Sequence, residues 1–115
     1  MQRLFQYAFW FAVAATLFFA LRKVTVVIPA SDKSQHAVTF AVLTGLAAMA
    51  YPRARLWAAA FALSGFGALI EFLQPYFERD RDYRDWIADT VGILVAFAIV
   101  FAARKLLLRG RNSPL

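Results

Sequence analysis

A charge-free run near the N-terminus constrains the fold of this chain more than any other feature. No charged residue lies between Arg3 and Arg22, and a helix over residues 4–21 would be about 27 Å long. That length is close to the hydrocarbon core of a bilayer, roughly 30 Å. A secretory signal peptide is the rival interpretation, but Arg22 and Lys23 stand where a small-residue cleavage site is expected. The run therefore predicts an uncleaved membrane span.

Three more apolar segments follow, and 62% of the 115 residues are hydrophobic, whereas soluble domains have about half. The basic turn from Pro52 to Arg55 separates the second segment from the third, and Pro75 ends or kinks the third. We predict an all-α integral membrane protein, an antiparallel bundle of four transmembrane helices in one domain over residues 1–108. The spans are predicted at about residues 4–21, 34–52, 56–77 and 86–103. Residues 109–115 are predicted to form a basic, disordered tail.

The start of the second helix has a recognisable signal. Val24 to Ile28 is wholly β-branched and precedes Pro29, so it is predicted as an extended connector. Ser31 is a good N-cap, and Asp32 is favoured by the helix dipole in the first turn. The sequence therefore places the beginning of this helix at Asp32.

Composition excludes several kinds of site and partner. The chain has no cysteine, so disulfides, thiolate metal sites and thiol nucleophiles are ruled out. The formal net charge is +6, but the basic residues flank apolar runs and do not form a stripe with stacking aromatics. We therefore predict contact with membrane lipid and no nucleic-acid partner. No cofactor and no metal are predicted.

Acidic and basic residues segregate to opposite sides of a four-span topology. Loops one and three with their flanks hold the one histidine, His36, and all seven acids. The acids are Asp32, Glu71, Glu78, Asp80, Asp82, Asp85 and Asp89. The side with both termini holds seven basic residues and no acid, against six basic residues on the loop side. Because Arg104 to Arg111 form the strongest uncompensated basic cluster, we predict cytoplasmic termini and an outward acidic face.

Titratable groups inside the predicted spans are candidates for function, because such groups are costly in lipid. Asp32 and His36 are four residues apart and share one helix face. Glu71 and Gln74 share a face at the end of the third helix. Asp85, Asp89 and Gly92 share a face of the fourth. Turned inward, these faces would form one polar cluster near the outer surface.

The same residues have plainer explanations. Asp32 is consistent with a first-turn acid, His36 with a polar interfacial anchor, and Asp89 with a hydrogen-bonded lock between helices. The Arg-Asp-Arg-Asp run in loop three is typical of a solvated loop. A metal site is a further alternative, with candidate ligands His36, Glu71, Asp85 and Asp89.

The arrangement resembles the VanZ-like family of small bacterial membrane proteins over residues 31 to about 100. The matching pieces are Asp32-Lys33-x-x-His36, Gly67-x-x-x-Glu71-x-x-Gln74, and Arg79 followed by Asp85, Asp89 and Gly92. The family often has asparagine at the position of Asp89, so an acid here changes the charge of the cluster. The resemblance implies a four-helix domain in the bacterial cytoplasmic membrane, and an association with glycopeptide-antibiotic resistance or cell-envelope physiology.

Two functional hypotheses follow. In the first, the outer face binds or processes an anionic envelope molecule, such as a lipid-linked phosphate or a cell-wall precursor. The candidate acid–base residues are His36, Glu71, Asp85 and Asp89. The candidate substrate contacts are Asp32, Lys33, Gln74 and Arg79, with Arg79 as the anion clamp. Two glycines, Gly67 and Gly92, serve helix packing. In the second, the protein has a structural or partner-binding role without catalysis. Oligomerisation is possible, and transport is disfavoured because four spans with one short charged cluster give no obvious path across the membrane unless the protein oligomerises.

Overall fold

Within residues 1–22 and 29–111, the chain folds as four α-helices in sequence order. The computed structural model describes the backbone of residues 1–22 and 29–111 and the side chains of residues 1–22 and 33–110. The helices are α1 (Gln2–Leu21), α2 (Pro29–Ala50), α3 (Leu56–Leu73) and α4 (Tyr83–Arg111), and a 3-10 turn (Gln74–Phe77) follows α3. The all-α prediction is confirmed. The predicted connector at residues 24–28, the side chains of Ser31 and Asp32, and residues 112–115 lie outside the described residues.

Two helix ends differ from the predicted ones. The α2 helix begins at Pro29 and not at Asp32, because proline has no N–H to lose and a backbone angle suited to the first helical turn. The α4 helix continues to Arg111, so residues 109–111 are helical, although the sequence assigned them to a disordered tail. The Arg, Lys and Leu residues after Ala103 favour helix, and no breaker interrupts them before Gly110.

The α2 helix packs against all three other helices. Its buried face, which includes Phe40 and Leu43, joins Leu63, Ile70 and Ile93 in the core. The α2 helix comes close to α4 at Gly92, where a Cβ atom would lie 2.8 Å from the carbonyl carbon of Ala37 and 2.9 Å from its Cα. Glycine is therefore needed at this crossing.

Three helices are long and apolar enough to cross a membrane, judged by length and composition over the described residues. They cover Gln2–Leu21, Leu56–Phe77 and Tyr83–Gly110. The α2 helix does not meet that criterion, because its described part begins with the polar residues Lys33 to His36. Many large apolar side chains lie on the outside of the bundle, among them Phe11, Phe61 and Ile99. Such a surface is typical of a protein covered by lipid or by partners.

Polar contacts show which helix ends lie together. At one end, Nε2 of Gln6 donates to the carbonyl of Ala50 at 3.2 Å, and Nη2 of Arg104 donates to that of Ala48 at 3.3 Å. At the other end, Nζ of Lys33 lies 2.9 Å from Oδ2 of Asp82. The first end, here called the basic end, carries Arg3, Arg53, Arg55, Arg104, Lys105 and Arg109. Every acid whose side chain the structure describes lies towards the second end.

Candidate functional site

The site is built around Lys33, on the first described turn of α2. Its ammonium group lies 2.9 Å from Oδ2 of Asp82 and also forms an ion pair with Oδ1 of Asp85. Asp82 directly precedes α4, and its Oδ1 accepts the backbone N–H of Arg84 at 3.0 Å, as an N-cap does. The hydrogen bond from Lys33, together with the N–H of Arg84, lowers the pKa of Asp82. The Lys33 side chain is 41% exposed, so this pair is accessible from outside.

His36 lies one turn further along α2 and contacts two carboxylates of α4. Its Nδ1 is 2.7 Å from Oδ1 of Asp89, and its Nε2 is 3.7 Å from Oδ2 of Asp85. A proton donated from Nδ1 to Asp89 fixes the orientation of the ring and leaves Nε2 as the nitrogen that can exchange a proton. The His36 side chain is 15% exposed, whereas that of Asp89 is 1% exposed. The imidazole therefore covers a buried carboxylate.

Gly67 makes room for the carboxylate of Asp89. A Cβ atom at Gly67 would lie 2.8 Å from Oδ2 of Asp89 and 3.4 Å from Cδ1 of Trp86. Contacts below 3.0 Å do not occur for real Cβ atoms, so any side chain at position 67 would displace the carboxylate or the α3 helix. Gly67 therefore packs against Asp89, a candidate acid–base residue, as well as against Trp86 of α4.

Glu71 connects α3 to the loop that precedes α4. Its side chain is buried, with 6% exposure for the residue, and its Oε2 accepts the backbone N–H of Asp82 at 2.9 Å. Arg81 folds back over the same helix end, where its guanidinium donates to the carbonyls of Glu71 and Phe72, both at 3.1 Å. The loop is therefore held against the C-terminal turn of α3.

Gln74 and Arg79 lie against α1 and not against His36. Nε2 of Gln74 donates to the carbonyl of Ala20 at 3.2 Å. Nη1 of Arg79 donates to the carbonyl of Arg22 at 2.9 Å and lies 3.4 Å from that of Phe19. Both side chains satisfy carbonyls that the end of a helix leaves without intrahelical donors.

The structure thus brings part of the predicted set together. The resulting group, here called the polar cluster, consists of Lys33, His36, Glu71, Asp82, Asp85 and Asp89. Asp82 is the member that the sequence analysis did not select as a site residue. An aspartate just before a helix is a common N-cap signal, so its position in the chain could have been noted, but its contacts with Lys33 and Glu71 arise only from the folded loop.

The polar cluster has more acids than bases, with four carboxyl groups beside one lysine and one histidine. Among the residues whose side chains are described, no three His, Cys, Asp or Glu side chains are arranged to hold a metal ion. The metal alternative therefore has no support from the described part of the chain. The chemistry that these groups can perform is proton exchange and hydrogen bonding to a polar ligand.

Comparisons with protein-family models, curated proteins and solved structures find no match to this chain. The resemblance to the VanZ-like family rests on the residue pattern alone and stays a prediction.

Proposed function

We propose that this chain is a multi-pass protein of the bacterial cytoplasmic membrane, with four helices that cross the bilayer as an antiparallel bundle. The three long apolar helices support this proposal. The α2 helix adds Val38, Val42 and Met49 to the apolar outer surface beyond its polar first turns. The contact of Gln6 with Ala50, between α1 and α2, is that of antiparallel neighbours.

The two ends of the bundle suggest an orientation. Lys and Arg near short loops are retained on the cytoplasmic side of a membrane. Because the basic end carries the cluster of Arg104, Lys105 and Arg109, we place it, with both termini, in the cytoplasm. The polar cluster then lies at the outer face.

In this orientation the polar cluster binds or processes the head group of an anionic, lipid-linked envelope molecule, which agrees with the cell-envelope association that the VanZ-like resemblance implies. The observation that carries this proposal is the partly exposed imidazole of His36, held between Asp85 and the buried Asp89. Buried ion pairs are often no more stabilising than apolar residues of similar volume. A histidine on two carboxylates, placed at an open end of a bundle, is instead typical of an acid–base site.

Recognition of the anionic group falls to Lys33 and Arg84. Lys33 is part-exposed and lies 2.9 Å from Asp82, so an incoming phosphate can replace that carboxylate on the ammonium group. The exposed Arg84 lies on the other oxygen of Asp82, with Nε 3.3 Å from Oδ1, and its guanidinium offers a fork suited to phosphate. Arg79, the clamp expected from the sequence, is assigned a positioning role because it caps α1.

The test compares His36→Ala and Lys33→Ala with Gln6→Ala in bacteria that express the protein. Gln6 is a suitable control because it also makes an interhelical hydrogen bond, but at the basic end. The measurements are glycopeptide susceptibility, the pools of lipid-linked cell-wall intermediates, and the amount of protein in the membrane. We expect the two cluster variants to lose the effect of the wild type at unchanged protein amount, and Gln6→Ala to keep it. Cluster variants that behave as the wild type does would refute the proposal.

A second candidate is a structural role in which the polar cluster locks α2 to α4. It is favoured by the contacts of Lys33 and His36 with Asp85 and Asp89, all of which cross between these two helices. Interhelical hydrogen bonds in membranes contribute roughly 0.6 to 2 kcal/mol each. In this case, His36→Ala lowers the stability of the protein. Any change in the envelope phenotype is then explained by the smaller amount of folded protein alone.

A further inference from the structure

Two buried oxygen atoms at the end of α3 have no hydrogen-bond donor among the described residues. They are Oε1 of Glu71 and Oε1 of Gln74, on residues that are 6% and 1% exposed. Burying an acceptor without a donor costs about 1–3 kcal/mol. Two such atoms three residues apart, on one face of the same helical segment, call for a common explanation.

The existing hydrogen bonds prevent either residue from satisfying its oxygen by rotation. Nε2 of Gln74 donates to the carbonyl of Ala20 at 3.2 Å, so the amide cannot be flipped without losing that bond. Oε2 of Glu71 already accepts the N–H of Asp82 at 2.9 Å. Both remaining atoms are acceptors as long as Glu71 is ionised. A single proton on Oε1 of Glu71 turns one of them into a donor for the other.

The charges around Glu71 also favour a protonated carboxyl group at this residue. Lys33 pairs with Asp82 and Asp85, and His36 lies on Asp89 and Asp85. Arg81 donates to backbone carbonyls, including that of Glu71 itself, and Arg84 lies on Asp82. No ion pair reaches the Glu71 carboxyl group from any described cation. A buried, unpaired carboxylate is far more costly than a neutral acid.

A neutral Glu71 also reduces the negative charge of the site. The three remaining carboxylates, Asp82, Asp85 and Asp89, then face the cations of Lys33 and Arg84 and the imidazole of His36. An ionised Glu71 would add one more negative charge to this group and would further repel an anionic head group.

We propose that Glu71 is a neutral carboxylic acid in the resting protein, that its Oε1–H donates a hydrogen bond to Oε1 of Gln74, and that it is the proton store of the polar cluster. The protonation state is independent of the proposed function. The role of Glu71 as a proton store, in contrast, rests on the proposed function. A site in which His36 acts as base also needs a group that starts protonated.

Infrared spectroscopy of the full-length protein in lipid vesicles at neutral pH tests this proposal directly. A protonated carboxyl group has a carbonyl band that ionised carboxylates lack. The chain has two glutamates, Glu71 and Glu78, and Glu78 is exposed in a loop. We expect a carboxylic-acid band in the wild type that shifts when glutamate is labelled with carbon-13 and not when aspartate is. This measurement needs no substitution and so does not depend on a variant that folds.

Two variants complete the experiment. Glu71→Gln should remove the band, whereas Asp80→Asn, which changes an exposed acid in the same loop, should leave it intact. Absence of the band, a band that shifts only with labelled aspartate, or a band that persists in Glu71→Gln would each overturn the proposal. If the band is found while the His36 variants keep a wild-type envelope phenotype, the protonated Glu71 stands and the proposed function fails.

Discussion

The crossing of α2 and α4 at Gly92 allows a prediction whose size follows from the structure. In Gly92→Ala, the new Cβ would lie 2.8 Å from the carbonyl carbon of Ala37 and 2.9 Å from its Cα. Carbon atoms in contact are normally about 3.5–4.0 Å apart. The carbonyl oxygen of Ala37 would lie closer still. The helices must therefore separate by at least about 0.8 Å, because the atoms that clash belong to the backbone and cannot rotate away.

This separation acts on the site as well as on the packing. His36 precedes Ala37 and its Nδ1 is 2.7 Å from Oδ1 of Asp89, so the same displacement stretches that contact to about 3.5 Å or more, the limit of a hydrogen bond. Overpacking costs about 1–3 kcal/mol, and a hydrogen bond to a charged group contributes about 1.5–3 kcal/mol. Alanine recovers about 1 kcal/mol of helix propensity. We expect the free energy of unfolding to fall by about 2–4 kcal/mol.

The assay is unfolding of the purified protein in mixed micelles titrated with SDS, with Gly65→Ala as the matched control. A Cβ at Gly65 meets nothing within 4 Å, so this change should leave stability unchanged or raise it by up to about 1 kcal/mol. If Gly92→Ala were as stable as Gly65→Ala, the close approach of the two helices, and the reasoning built on it, would be wrong.

Three further predictions concern other parts of the molecule. Gly67→Ala should destabilise by about 1–2 kcal/mol in the same titration, less than Gly92→Ala, because the nearest atom belongs to a side chain at 2.8 Å. Asp82→Asn should be less stable than the wild type at pH 7, because Lys33 lowers the folded-state pKa of Asp82. The difference in stability is present above the ordinary aspartate pKa of about 4 and should vanish in thermal scans at lower pH. Since the chain has no cysteine, single cysteines can report orientation: an impermeant maleimide added to intact cells should label Asp80→Cys and not Arg53→Cys, and the reverse pattern would place the termini outside.

The helical architecture and the segregation of charge follow from the sequence. Length, apolar composition and the positions of Arg and Pro are local properties, and local properties decide where a helix can form and which of its ends is polar. The spacing from Asp85 to Asp89 to Gly92 similarly fixes a shared helix face, whatever the rest of the chain does. These features predicted that His36, Asp85 and Asp89 belong to the same end of the bundle.

Only the tertiary structure decides which of those groups meet. The rotation of α2 against α4, set by the contact between Gly92 and Ala37, places His36 on Asp89. The loop folded over α3 brings Asp82 to Lys33 and Glu71, and the end of α1 takes the Arg79 side chain that the sequence had assigned to an anion. A periodic pattern fixes faces within one helix, but distances between helices depend on the packing of all of them, so the sequence could define the candidates for this site and not their partners.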